Sequence, residues 1–189
     1  MLTDIKPAYI SQDSPFWPEI VGKRLGANAS DRIEFIGDIA ILASRKTALF
    51  CSTRCPGDFI LKAFDTAKSL RESGSTAISG FHSPVEKECL RILLKGKQPI
   101  IICPARSLSG MRVPKEWLPG IKSGRILLLA SFKEPIRRAS SESCRRRNEF
   151  VAAISDGATI IYAEPGGQIE QIATMLGKWR VQAENHSAI

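Results

Sequence analysis

The chain has 189 residues, 43% hydrophobic and 24% charged, the composition of an ordinary globular protein with room for one sizeable core. No apolar run approaches the roughly 20 residues of a membrane span. Met1-Leu2-Thr3-Asp4 lacks the basic start and apolar stretch of a secretory leader, so a cytoplasmic location and no membrane partner are expected. The net charge of +8 is unevenly placed: residues 1–94 carry 12 Lys/Arg against 11 Asp/Glu, residues 95–150 carry 13 against 4, and residues 151–189 carry 2 against 4. Such a basic block suits a polyanionic partner, with a solubilising face as the plain alternative.

Residues 1–33 show no strong period and read as an N-terminal arm, with a two-aromatic turn at Ser14-Pro15-Phe16-Trp17-Pro18. Residues 34–42 alternate loosely around Gly37-Asp38, as in a short hairpin. A core pattern follows. Residues 47–51 read as a first buried strand, and residues 58–73 as a helix with Ile60, Phe64 and Ala67 on one face, closed by Gly74. Residues 76–79 are the second strand. Ser83-Pro84-Val85-Glu86 then supplies the N-cap, first-turn proline and capping-box carboxylate of a helix start. Residues 100–103 are the third strand, followed by a long basic connection with a short helix near 114–118. Residues 125–130 are the fourth strand, 131–146 a polar loop, 147–155 a helix, 158–163 the fifth strand and 168–176 a last helix. Residues 182–189 read as a frayed polar tail.

Short continuous apolar strands alternating with helices imply an α/β fold: a doubly wound, mostly parallel Rossmann-like sheet over residues 34–181, with helices on both faces. Right-handed crossovers lead to the strand order 3-2-1-4-5. In that order the first and fourth strands adjoin at the switch point, where ligands bind such sheets. The loop carrying Arg54 then faces the one carrying Arg137, Arg138 and Arg145–Arg147.

Several residues carry candidate chemistry. Arg145-Arg146-Arg147-Asn148 is the sharpest, because arginine binds phosphates bidentately and stacks on bases; the three guanidinium groups cannot all point one way from a helix start. Arg54 is a phosphate clamp or a surface arginine closing its own loop. Gly80, after Ser79, serves a tight turn or a close ligand approach. Gly166 and Gly167 form an anion nest or a simple strand-to-helix turn. His82 reads as a loop histidine and Glu86 as a helix cap. The absence of Gly-x-Gly-x-x-Gly argues against NAD or FAD. Cys51, Cys55, Cys89, Cys103 and Cys144 are scattered, and no second pair joins Cys51 and Cys55 in a zinc site, so no metal is expected.

Four places in order carry a family resemblance: Phe35-Ile36-Gly37-Asp38 before the first strand, the strand running into Arg54, Ser79-Gly80 ending the second strand, and Arg147-Asn148 followed by Phe150–Asp156. Through them residues 37–176 resemble the Rossmann-like domain of the DprA/Smf family of DNA-processing proteins. The wider superfamily includes the LOG-type, lysine decarboxylase-like nucleotide-binding proteins. The resemblance implies a stand-alone single-domain member that binds single-stranded DNA, is not an enzyme, forms a homodimer and loads a RecA-type recombinase. It carries over Arg54, Ser79, Gly80, Arg147 and Asn148 as pocket residues; Arg137, Arg138, Arg145 and Arg146 are added from charge and topology. Ser52 and Thr53 stand where the family has glycine and serine, and Cys144-Arg145 where it has an aromatic and a proline, so the expected base-stacking ring is missing.

Two other readings stay open. RNA or a small nucleotide replaces DNA in one, with no other cofactor and, in its enzymatic version, nucleoside monophosphate hydrolysis; Pro165-Gly166-Gly167 with Glu170 echoes the LOG motif, without its Gly-Thr. In the other, the basic face meets an acidic protein.

Overall fold

The computed structural model describes residues 5–186. Its centre is one eight-stranded sheet in the order β1-β2-β6-β5-β4-β3-β7-β8. The strands are β1 (Ala8–Ser11), β2 (Arg32–Ile36), β3 (Lys46–Cys51), β4 (Thr76–Ser79), β5 (Ile100–Ile102), β6 (Ile126–Ala130), β7 (Gly157–Tyr162) and β8 (Gln182–Asn185). All neighbours from β6 to β8 run parallel; β1 and β2 are antiparallel additions, β2 pairing with β6 through Glu34–Ala130, Phe35–Leu129 and Ile36–Leu128. The α/β class read from the sequence is therefore the observed one, and the chain has a mostly parallel sheet covered on both faces.

Alternation along the strands builds the two layers. Ala48 and Phe50 of β3, with Leu127 and Leu129 of β6, face a core closed by α1 (Glu19–Leu25), α5 (Ser141–Ile154) and α6 (Gln168–Lys178). Leu49 and Cys51, with Ile126 and Leu128, face the opposite core under α2 (Gly57–Ser73), α3 (Pro84–Leu94) and α4 (Leu118–Lys122). No helix among the described residues is long and apolar enough to cross a membrane.

The core strand order is corrected. Counting β3 to β7 as first to fifth, the order is 4-3-2-1-5, not 3-2-1-4-5. The chain marches β3, β4, β5, β6 in one direction because α2, α3 and α4 all pack on the same face, and β2 then closes the far side of β6. Only α5 crosses back, on the other face, to lay β7 against β3. The switch point thus lies between β3 and β7, and β6 is three strands away from β3.

Three other expectations change. Residues 34–42 are not a hairpin: β2 ends at Ile36, and Asp38 accepts a hydrogen bond from Ala40 N at 2.9 Å to cap a 3-10 turn, Ile39–Ala43. Gly37 makes the turn with φ +114°, where a Cβ would stand 2.4 Å from the Ile126 carbonyl oxygen. Residues 1–33 contain β1, which is part of the sheet, and α1. Residues 182–185 are not frayed but form β8 on β7; residues 1–4 and 187–189 lie outside the described residues.

Two carboxylates, one half-exposed and one buried, hold β3 at its ends. At the amino edge Lys46, 7% exposed, meets Asp156 at 3.0 Å, and Asp156 also accepts from Lys46 N at 2.8 Å. At the carboxyl edge the Glu86 carboxylate, 4% exposed, accepts from Cys51 N (3.1 Å) through Oε1 and from His82 N (2.9 Å) and Ser83 N (3.1 Å) through Oε2. Ser83 Oγ in turn accepts from Glu86 N at 3.2 Å, completing the capping box that the sequence predicted for α3. Glu86 therefore starts a helix and fastens the ends of β3 and β4 together.

Replacing Glu86 with Gln substitutes a donor for one acceptor beside three N–H groups, and urea unfolding should show a loss of about 2 kcal/mol, with E86A losing more. For Asp156, burial raises the carboxyl pKa, but the hydrogen bonds from Lys46 and the charges of Lys46 and Arg24 outweigh it and hold it below the ordinary value. Its contribution is present above the unfolded carboxylate pKa and is lost as pH falls through the depressed one. Melting temperatures should fall less steeply for D156N than for wild type between about pH 5 and pH 2.

Candidate functional site

The carboxyl edge at the β3/β7 switch point opens into a cavity of about 590 Å³. Its walls are the starts of three helices. His82, Ser83 and Glu86 come from the approach to and first turn of α3, Ser140, Ser141 and Cys144 from the cap and first turn of α5, and Gly167, Gln168 and Ile169 from the cap and first turn of α6. The helix dipole makes such an end favourable to an anion, and three converge here, although the start of α3 already holds the Glu86 carboxylate and that of α5 is capped by Ser140 and Ser143.

The start of α5 is where the sequence reading and the structure part. The helix begins at Ser141, not Arg147. Ser140 caps it: its Oγ accepts from Ser143 N at 3.1 Å, and Ser143 Oγ accepts from Ser140 N at 2.9 Å. The arginines therefore sit in the second turn rather than ahead of the helix, and helical rotation separates them. Arg147, 5% exposed, lines the cavity. Arg145 turns away and is bound by Glu142 through Nε (2.9 Å) and Nη2 (2.7 Å), and by Glu149 through Nη1. Arg145 and Arg146 line a separate cleft of about 180 Å³ beside Asn28 and Ser30. The expected convergence of all these cations holds for Arg147 alone.

Arg147 is held rigidly. Its Nε donates to Asn148 Oδ1 at 2.8 Å and its Nη1 to the Cys103 carbonyl at 3.0 Å; Nη2 has no acceptor among the described residues. The guanidinium lies directly over Gly80, where a Cβ would stand 1.4 Å from Nη1. Gly80 is thus required for space, and its φ is not positive. The strained residue of that loop is Phe81, at φ +48° and 5% exposed, a conformation that costs a non-glycine residue about 1 kcal/mol. Ser79 does not reach the cavity: its hydroxyl accepts from Phe81 N at 3.3 Å and its carbonyl from Cys103 N at 2.8 Å.

The remaining candidates lie at the rim or are committed. Arg54 is 84% exposed and pairs with Glu164 at 2.6 Å, across the switch point from β3 to β7. Beneath that pair Ser52 N donates to the Tyr162 carbonyl and Ser52 Oγ accepts from Glu164 N, both at 2.9 Å. Arg137 and Arg138 are exposed and lead into Ala139, which lines the cavity; their segment is pinned by Ser107 N to the Ile136 carbonyl and Ile136 N to Ser107 Oγ. The Gly166 and Gly167 N–H groups are given to Glu170 Oε2 (2.9 Å) and the Glu164 carbonyl (2.8 Å), so this turn is closed on itself rather than open as an anion nest.

Sequence reasoning set aside His82 and Glu86, both of which line the cavity. The capping box was visible for Glu86, but its reach to β3 was not. Burial first, and then the charges of Arg147 and Lys87, lower the His82 pKa against the opposing pull of Glu86, so His82 is neutral at neutral pH. Burial and then the neighbouring Cys55 raise the Cys51 thiol far above its ordinary value, which removes it as a nucleophile. The signal for the true start of α5 was Ser140-x-x-Ser143, a serine pair in capping-box register.

No protein-family model and no curated protein sequence matches the chain. Solved structures do. DNA processing protein A from Helicobacter pylori, described for its single-stranded DNA binding mode, aligns with a TM-score of 0.73 at 18% identity, over 94% of this chain and 80% of that one. DprA from Streptococcus pneumoniae aligns with a TM-score of 0.76 at 14% identity, over 96% of this chain and 63% of that one. At these identities the likeness is one of fold: the chain has a DprA-like Rossmann fold.

Proposed function

We propose that the protein binds single-stranded DNA through its phosphates at the carboxyl edge of the sheet, as a DNA-processing protein rather than an enzyme. The observation that carries this reading is Arg147, a buried guanidinium fixed on two sides, whose Nη2 has no acceptor among the described residues, in a cavity on which three helix starts converge. One phosphate sits there. Arg137, Arg138 and Arg54, exposed at the rim, take the neighbouring phosphates, with Arg54 exchanging Glu164 for the ligand. Single-stranded DNA is preferred as the polyanion because the Helicobacter pylori protein of the same fold binds it. Homodimerisation and loading of a RecA-type recombinase rest on the motif resemblance alone.

A second reading, a small nucleotide ligand, is favoured by the cavity volume of about 590 Å³, which lies within the range of small-molecule sites. Its hydrolytic version is weakened by Glu170, whose carboxylate oxygen is bound to Gly166 N.

Fluorescence anisotropy with a labelled single-stranded oligonucleotide should show binding at low salt, with log K falling by about 0.7 per neutralised phosphate for each unit of log salt concentration. R147A should weaken binding about tenfold or more. G80A should do the same by displacing the guanidinium, and R145A should leave binding unchanged. Absence of binding at low salt, or wild-type affinity in folded R147A and G80A, sinks the proposal.

A further inference from the structure

We propose that His82 is the partner of Arg147 in the phosphate site: its imidazole takes a proton from solvent when a phosphate arrives and releases it when the ligand leaves. The inference rests on the anion-binding reading of the cavity and adds one residue and one proton to it.

The loop that carries His82 is built around that ring's place. Gly80 makes room for the Arg147 guanidinium. Phe81 is buried in the core under α2, α3 and α4, with its backbone in the left-handed region at φ +48°. Strain of this kind persists where the surroundings over-determine it, and it concentrates at functional sites. His82 follows, exposed, and lines both the cavity of about 590 Å³ and an adjoining one of about 250 Å³ beside the β5–β6 connection. Besides Ala139, only Arg147 lines both. The His82 backbone is fastened, because its N donates to Glu86 Oε2 at 2.9 Å, but its imidazole has no hydrogen-bond partner among the described residues. A positioned, uncommitted ring thus stands in the same cavities as a guanidinium with an uncommitted Nη2. Once protonated, it offers a second charge-assisted donor to one phosphate.

Charge decides when that proton is taken. The titratable and charged groups around the ring are Glu86 and Lys87 of α3, Cys144 and Arg147 of α5, Glu164 after β7, and Arg106 and Arg112 of the β5–β6 connection. Both carboxylates are already engaged, Glu86 by three backbone N–H groups and Glu164 by Arg54. In the empty site, burial first, then Arg147 and Lys87, hold the ring's pKa below the ordinary histidine value against the pull of Glu86. A phosphate on Arg147 reverses this balance. It offsets the guanidinium's repulsion and places an anion beside the ring, and an opposite charge that close favours the protonated form. The ring is therefore neutral when the site is empty and charged when it is filled. Between those two pKa values binding draws in a proton, so affinity rises as pH falls.

The test uses oligo-dT without a terminal phosphate, because its diesters and bases do not titrate in the range where histidine does. Anisotropy at constant salt should show binding about fivefold tighter at pH 6 than at pH 8. Calorimetry in two buffers of different ionisation heat should show proton uptake. H82Q should match wild type at the higher pH, lose the pH dependence, take up no proton and keep its Tm. A second arm needs no DNA. The chain has two histidines, so the His82 ring signals in a proton NMR titration are identified by their loss in H82Q. Sulfate, a tetrahedral anion that stays fully ionised in this range, should raise the His82 midpoint by about one pH unit at matched ionic strength. His186, beside Thr66 and Glu184, should not move. A His82 midpoint unshifted by both sulfate and oligo-dT, or a pH dependence that H82Q retains, overturns the role of His82 and leaves the DNA reading standing on its salt dependence. If oligo-dT does not bind at low salt but sulfate raises the midpoint, the DNA reading falls and the role of His82 stands.

Discussion

The carboxyl edge of this sheet depends on one buried carboxylate. Glu86 has almost no contact with water, and its stabilisation comes from three backbone N–H groups on two separate segments. Hydrogen bonds to an ionised acceptor are stronger than neutral ones, and inside a protein they also have no water to compete with. The cost of burying the charge is met only if Cys51, His82 and Ser83 all stay in place. The carboxylate therefore fixes the floor of the cavity, the start of α3 and the spacing of β3 and β4 at once. Ser52 extends the same arrangement to the other side of the switch point by joining β3 to the turn after β7. A cavity built from three loops needs such ties, because loops have little packing of their own.

The sheet also explains how a residue so far along the chain reaches the end of β3. The basic segment between β5 and α5 begins on the side of the sheet away from β7. After β6 it is anchored to the β5 connection by Ser107 and Ile136, and α5 then delivers Arg147 to the switch point. Position along the helix decides the rest. Two residues earlier, Arg145 lies on the other side of α5 and is neutralised by Glu142 and Glu149. The high charge of residues 95–150 is real, but only part of it is directed at the cavity.

What was legible in the sequence follows the same physics. β3, β4, β6 and β7 are buried on both faces, so their continuous apolar runs stand out, and the capping box at Ser83 and Glu86 marked α3 to the residue. β1 and β8 escaped because they are edge strands with mostly exposed side chains and no apolar period. The start of α5 escaped because its first turn, Ser-Glu-Ser, is polar and looks like loop. The expected strand order failed because α4 packs on the same face as α2 and α3, so β6 continues outward from β5 instead of returning to β3, and no residue of the β5–β6 connection marks that choice. Of the residues singled out in the sequence, Arg147 and Asn148 line the cavity, whereas Ser79 holds its own loop and Gly80 makes room for the guanidinium.

That last contact has a consequence for how such chains change. Gly80 and Arg147 are 67 positions apart, yet the guanidinium occupies the volume that any side chain at position 80 would need. The two are one steric unit. A related chain that loses the glycine must also shorten or redirect the arginine, and one that loses the arginine is free to fill position 80. Substitutions at these positions should therefore arise as pairs. A Ser-Gly dipeptide ending this strand then reports indirectly on the residue at the distant helix position, before any ligand is considered.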